Sequence, residues 1–200
     1  VDHLYDNDGT ETGTGYDFRR GEYSTDISHE LRLSSNGDGP FSWQAGAFFY
    51  DQDLDVRSLN FISPDDSDPV FLRNYLFNVQ VESKAVFGQI GYEFTDDLKM
   101  TAGLRYSEDS KERTGTFVGG PSLANPPLTQ PELTVVELGE GSRSDDDDLS
   151  YHLGAEYRYS DDTLFYAKTD KGYKSGGFTS INEYGPETVL AYEAGAKNRL

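Results

Sequence analysis

The sequence predicts an all-β chain: seven or eight consecutive strands of a larger antiparallel, up-and-down transmembrane β-barrel. Three observations predict it. The first is alternation. In Leu149–Tyr159, the residues Leu149, Tyr151, Leu153, Ala155, Tyr157 and Tyr159 fall on one face, and Ser150, His152, Gly154, Glu156 and Arg158 fall on the other. Leu98–Tyr106 repeats the pattern, with Leu98, Met100, Ala102, Leu104 and Tyr106 against Lys99, Thr101, Gly103 and Arg105. Successive strand residues point to opposite sides, so each stretch has one apolar and one charged, wet face. The second is strand length. A barrel wall about 25 Å tall crossed at ~45° needs about ten residues; Phe41–Arg57 and Tyr75–Thr95 exceed that, and far exceed the ~5–6 residues of ordinary globular strands. The third is the order of connections, which runs short, long, short, long.

Taken in order, the strand candidates are Tyr23–Ser35, Phe41–Arg57, Tyr75–Thr95, Leu98–Phe117, Asp147–Tyr159, Thr163–Tyr173 and Glu187–Leu200, with the end of an earlier strand in the first twenty residues. Asn36–Pro40, Thr95–Asp97 and Ser160–Asp162 read as tight hairpin turns, rich in Gly, Asp and Ser. Ser58–Asn74, Gly115–Asp146 and Lys174–Pro186 read as long loops. Short turns on one side and long loops on the other are what an outer-membrane barrel requires. Tyr92, Phe94, Tyr106, Tyr157 and Tyr159 lie near strand ends, where an aromatic girdle belongs.

Composition narrows the class. A net charge of −19 argues against attraction to nucleic acid or to an anionic membrane surface. With no cysteine, neither a disulfide framework nor a thiolate metal site can form. Tyrosine and glycine are abundant, which suits turn-rich β structure. No apolar run approaches the ~18 residues of a membrane-spanning helix, and the mean hydropathy is −0.68. A barrel escapes that criterion, since only alternate residues face lipid. The chain opens at Val1 with no secretion signal and stops at Leu200 inside a strand-like pattern, so it reads as an excerpt.

Enzymatic readings fail on pattern. There is no Gly-x-Ser-x-Gly elbow and no phosphate-binding Gly-x-x-x-x-Gly-Lys-Ser/Thr loop. His3, His29 and His152 lack metal-ligand spacing. Asp145–Asp148 and Asp65–Asp68 lack the alternation of a calcium loop and read as solvated acidic segments, with neighbouring carboxylates pointing apart. No cofactor is expected. Glu30, Arg32, Arg105, Glu156, Arg158, Glu193, Lys197 and Arg199 all fall on the polar faces of their strands, forming a mixed-sign lumen wall. Glu193 and Lys197 lie roughly 13 Å apart along one strand, so each is expected to meet an opposite charge on a neighbouring strand.

The C-terminal third carries a resemblance. Leu164-Phe-Tyr-Ala167, Lys171-Gly-Tyr-Lys-Ser-Gly-Gly-Phe178, Pro186-Glu-Thr-Val189 and Tyr192-Glu-Ala-Gly-Ala-Lys197 resemble the barrel of TonB-dependent outer-membrane receptors. Glu30–Ser34, Trp43–Gly46, Phe48–Tyr50, Val86–Gln89 and Thr101–Tyr106 are similar in the same order, so the likeness covers residues 28–200. One departure is Thr179, where many members carry Asn. Gly172, Gly176, Gly177, Pro186, Glu187, Tyr192, Glu193, Gly195 and Lys197 are the motif positions, and they read as architectural. Gly176 and Gly177 are expected to supply positive φ where strand becomes loop. Pro186 suits the entry of the returning strand. Gly103, Gly154 and Gly195 are expected to face the lumen, where another backbone can approach.

The resemblance implies a barrel of ~22 strands with a plugged lumen. Residues 1–200 would supply part of it, with the plug and the closing strand lying elsewhere. It further implies a receptor that imports a scarce, bulky ligand, of siderophore-iron type, energised by the TonB–ExbB–ExbD system and set in outer-membrane lipid. The ligand would be a small molecule such as a metal chelate; Tyr173, Lys174 and Phe178 are the candidate contacts. Two other readings compete: a small passive barrel serving as anchor or adhesin, and a soluble carbohydrate-binding β-sandwich. Open edge strands predict that the excerpt does not fold alone.

Overall fold

The computed structural model describes the backbone of residues 2–6, 15–63, 70–119, 134–179 and 182–199, and the side chains of residues 20–59, 74–116, 142–179 and 182–199. Ten strands follow one another: β1 (Asp2–Asp6), β2 (Gly15–Ser34), β3 (Phe41–Ser63), β4 (Val70–Thr95), β5 (Leu98–Gly119), β6 (Thr134–Ser160), β7 (Thr163–Lys174), β8 (Gly177–Phe178), β9 (Glu183–Tyr184) and β10 (Glu187–Asn198). Eight of them form one sheet in the order β1-β2-β3-β4-β5-β6-β7-β10, every neighbouring pair antiparallel. The remaining two, β8 and β9, pair as a small hairpin inside the long connection between β7 and β10. This is the expected meander, and β1 supplies the earlier strand expected in the first twenty residues.

The three tight turns stand where composition placed them. In the turn after β4, the Thr95 hydroxyl accepts hydrogen bonds from the amides of Asp97 (3.3 Å) and Leu98 (3.1 Å). The Ser160 hydroxyl accepts one from the amide of Asp162 at 3.4 Å. The Asp97 carbonyl then accepts from the Arg158 amide at 2.8 Å, which stitches one turn to the next strand. The connection from β7 to β10 spans the expected stretch, but the other two long connections are shorter than expected, because the strands run further. β3 continues past Arg57 to Ser63, β5 reaches Gly119 and β6 begins at Thr134.

Register fixes the two faces. Trp43 sits opposite Ile90, Ile90 opposite Ala102, Ala102 opposite Leu153, and Leu153 opposite Thr169. Leu31, Leu33, Val86, Leu104, Leu149 and Tyr192 share that outer face and remain exposed. From Leu98 to Tyr106 the apolar band rises about 19 Å, taking ~3.4 Å per residue and a ~45° tilt. Tyr92, Phe94, Tyr157 and Tyr159 crowd its short-turn end, with Tyr92 and Phe94 meeting edge to face at 4.8 Å; Tyr106 marks the other end. Only Val56 and Ala85 are buried apolar residues among the described ones. A sandwich needs a second layer to bury one face of each sheet. Here a single wall leaves its apolar face for lipid.

Past the band β2–β6 continue for roughly 30 Å, while β7 and β10 stop near its top, and on β3 and β4 the polarity of the faces exchanges. Outward residues become Asp51, Asp53 and Asp55 beside Glu82, Gln80 and Asn78. Inward ones become Leu54 and Val56 beside Val81, Val79 and Phe77. A wall that turns polar outside has left lipid for water.

Candidate functional site

At mid-height the inner face carries a connected polar network. Thr101 Oγ1 lies 3.1 Å from His152 Nε2, and His152 Nδ1 lies 2.6 Å from Asp170. Next along the wall, Lys168 pairs with Glu193 at 3.1 Å, which also accepts the Tyr166 hydroxyl at 2.8 Å. Glu193 thus meets a cation on the neighbouring strand, as its spacing requires. Lys197 instead sits over the Tyr166 ring at 5.3 Å, so its partner is an aromatic face and not a carboxylate. Gly154 lies beneath the Thr101–His152 contact and Gly195 beneath the Tyr166 hydroxyl, each with its would-be Cβ 2.7 Å from that neighbour. Arg32 and Arg105 both stand over Phe87, and Arg105 also over Phe48.

Higher on the wall, Lys171 pairs with Asp148, whose side chain is only 7% exposed and also accepts from the Ser150 hydroxyl. Lys171→Met strands that carboxylate. A fully buried pair broken in this way loses ~3–5 kcal/mol; because Lys171 is partly exposed, about 1–2 kcal/mol is expected. Guanidinium unfolding of the full receptor measures it, and the Lys171→Met/Asp148→Leu double variant is expected to recover most of the loss.

Above this level a cavity of about 660 Å³ opens on the inner face. Leu54, Val56, Phe77, Val79 and Val81 from β3 and β4 form its apolar floor, and Lys111 and Arg113 from β5 its cationic side. The β8–β9 hairpin closes it with Gly177, Phe178, Thr179 and Tyr184. The hairpin is tied inward: Lys111 Nζ donates to the Gly176 carbonyl at 2.7 Å, Arg113 donates to the Thr179 carbonyl, and the Gly176 amide donates to Asp146 at 2.9 Å. Burial pushes the Arg113 guanidinium below its ordinary pKa, with the Glu183 charge acting the other way.

Gly176 and Gly177 do not have the positive φ expected of them; Gly115 has it, at +137°. Their role is close approach. A Cβ on Gly176 would lie 2.7 Å from the Tyr184 carbonyl and 2.9 Å from Ser144 Oγ, and one on Gly177 would lie 2.8 Å from the Tyr184 hydroxyl. Gly115 forms a β-bulge against β6, immediately after Arg113 and Thr114. Such a bulge re-aims neighbouring side chains. No sequence signal singled it out.

Of the three candidate contacts, Phe178 lines the cavity and lies 4.9 Å from the Arg113 guanidinium. Lys174 lies over the Tyr184 ring at 5.6 Å and 3.8 Å from Glu187, outside the cavity. Tyr173 is held near Asp109, Asp146 and Asp148, away from it. Gly172 faces Val189, Pro186 directly precedes β10, and Tyr192 points outward at 77% exposure. Asp145 and Asp147 point outward while Asp146 and Asp148 point inward, so the acidic run splits as expected. The Arg143 guanidinium, 2.7 Å from Asp145, holds that carboxyl below the usual range. His29 lies opposite Phe49 on the outer face. The His3 side chain and the Asp65–Asp68 segment lie outside the described residues. No group of three metal-ligating side chains occurs among the described ones.

Residues 1–200 match the family model described as TonB dependent receptor-like, beta-barrel. The chain belongs to that family. Over 123 residues it is 26% identical to the pesticin receptor of Yersinia pestis, which covers 58% of this chain and 16% of that protein. The pesticin receptor of Yersinia enterocolitica matches with the same figures. Among solved structures, the ferric yersiniabactin uptake receptor FyuA from Yersinia pestis superposes with a TM-score of 0.72 at 19% identity, over 92% of this chain and 28% of that one. The chain therefore spans less than a third of the length of each of these relatives. Barrels of this family lie in the outer membrane, and the apolar band of β2–β7 and β10 is the surface that meets its lipid.

Proposed function

We propose that this chain is part of the barrel wall of a receptor that imports a scarce, bulky ligand, of siderophore-iron type, under TonB energisation. The family match over residues 1–200 carries the reading. It is supported by the cavity, which is open to the inner face above the membrane band and large enough for a substantial part of a small molecule. In this reading a plug domain fills the lumen against the polar network of Thr101, His152, Asp170, Lys168 and Glu193. The TonB–ExbB–ExbD system draws on the inner-membrane proton gradient to displace that plug. The wall performs no covalent chemistry; it binds, orients and releases.

Uptake tests this directly. The full-length receptor is expressed in cells lacking their own ferric receptors and offered radiolabelled ferric chelates, beginning with ferric yersiniabactin, the ligand named for FyuA. At least one chelate is expected to accumulate tenfold or more above receptor-free cells and to fall to background when TonB is deleted. Accumulation that survives TonB loss would instead make the barrel a passive pore. Energised uptake of cobalamin or an oligosaccharide, with no ferric chelate taken up, would replace the ligand class alone.

A further inference from the structure

Arg113 is 3% exposed, yet among the described residues no carboxylate forms an ion pair with it, and its Nε has no hydrogen-bond partner. Its contacts are the Thr179 carbonyl, Ser142 Oγ at 3.3 Å, and the rings of Phe77 (5.4 Å) and Phe178 (4.9 Å). Lys111 likewise spends its ammonium on a neutral acceptor, the Gly176 carbonyl. Among the described residues no Asp or Glu lines the cavity that holds both, although the chain as a whole carries a net charge of −19. A buried cation with no ion-paired carboxylate, only the longer-range charge of Glu183, keeps most of its desolvation penalty. Nothing in the wall's architecture requires that arrangement, because Glu and Asp neutralise cations elsewhere on the same face.

Both acceptors belong to the connection that carries the β8–β9 hairpin, a pairing of two residues against two. The bonds from these two cations to carbonyls are already charge-assisted on the donor side, but only an anionic acceptor adds a second charge and, at Arg113, a two-pronged fit. A carboxylate reaching Arg113 and Lys111 therefore competes with the two carbonyls for both cations. A flat apolar body attached to it would lie between Phe178 and the floor of Val56, Phe77 and Val79. We propose that this cavity is a binding site for an organic anion on a flat apolar frame, which takes Arg113 and Lys111 from the hairpin carbonyls and so loosens the hairpin. Its place in transport rests on the receptor reading above.

Calorimetry on the full-length receptor in nanodiscs, with empty nanodiscs subtracted, tests it using 2-naphthoate and its neutral isostere 2-naphthamide. Naphthoate is expected to bind at least tenfold more tightly than the amide. Arg113→Gln is expected to abolish that difference, Lys111→Gln to reduce it severalfold, and Arg143→Gln, on the outer face, to leave it unchanged. Should Arg113→Gln fail to fold, Lys111→Gln decides. Equal affinities for acid and amide, binding of neither, or discrimination that survives both variants would overturn the proposal. Lost discrimination with TonB-dependent uptake intact removes only the ligand class; intact discrimination with TonB-independent uptake removes only the transport reading.

Discussion

Leu153→Arg is expected to destabilise the folded barrel by about 2–4 kcal/mol, the penalty for a cation placed at mid-membrane on a barrel's lipid face. Leu153 is 50% exposed, lies between Ala102 and Thr169 on the outer face, and sits midway between Leu149 and Tyr157. No carboxylate on that face is at its level, so a guanidinium there must snorkel or drag water into the band. Gln89 provides the contrast. It is at nearly the same height, opposite Gly103, but points into the lumen. Gln89→Arg is expected to cost no more than about 1 kcal/mol, because a lumen lined with polar groups, plug included, can take up a guanidinium that lipid cannot. Denaturant unfolding of both variants, in the full receptor and in lipid, reads the difference. Equal penalties would mean that the faces have been assigned wrongly.

Gly115→Val is expected to be the most damaging substitution above the membrane. At φ +137° a branched side chain is strained by about 1–3 kcal/mol. Its Cβ would also collide with the Leu76 carbonyl and lie 2.9 Å from the Phe77 Cα, both backbone atoms that cannot swing away. Overpacking of that kind adds about 1–3 kcal/mol. Relief requires the bulge to open, which moves Arg113 off Phe77 and out of the cavity. The expected result is a receptor whose membrane-level strands still fold but whose discrimination between naphthoate and naphthamide is lost. Gly119→Ala, outside the bulge, serves as the reference substitution. A Gly115→Val receptor with wild-type stability and wild-type discrimination would show that the bulge does not position Arg113.

Much of the fold was legible because lipid imposes period two on one face and water imposes it on the other. Leu98–Tyr106 and Leu149–Tyr159 show this at its clearest, and the Asp- and Ser-rich turns delimit the strands. The extensions above the membrane were harder to read. Asp51, Asp53 and Asp55 face outward while Leu54 and Val56 face inward, so the apolar phase slips from odd to even positions within β3. The expected strand ran through that slip to Arg57; what it missed is Ser58–Ser63, which abuts Pro64 and an Asp-rich run and so reads as loop. Asp145–Asp148 hid the start of β6 for a separate reason, since with carboxylates on both faces the alternation disappears. Phe178 was legible from its motif. Arg113 was not, because an arginine beside Lys111 and Glu112 reads as surface charge. Its burial depends on the hairpin around Gly177, far away in sequence. Gly115 escaped notice because a bulge depends on the partner strand's register and leaves no local pattern.

The most direct test of the wall's orientation is a single-cysteine spin-label scan along β5 in the full-length receptor, which this cysteine-free chain permits without background from its own residues. Oxygen and a water-soluble nickel chelate serve as the two relaxing agents. Labels at residues 100, 102, 104 and 106 are expected to relax with oxygen, and those at 101, 103 and 105 are not. From Glu108 outward, positions 108, 110 and 112 are expected to switch to the water-soluble agent. Oxygen accessibility that fails to alternate below Tyr106, or that persists past Glu108, would contradict a wall that meets lipid only as high as Tyr106 and stands in water above it.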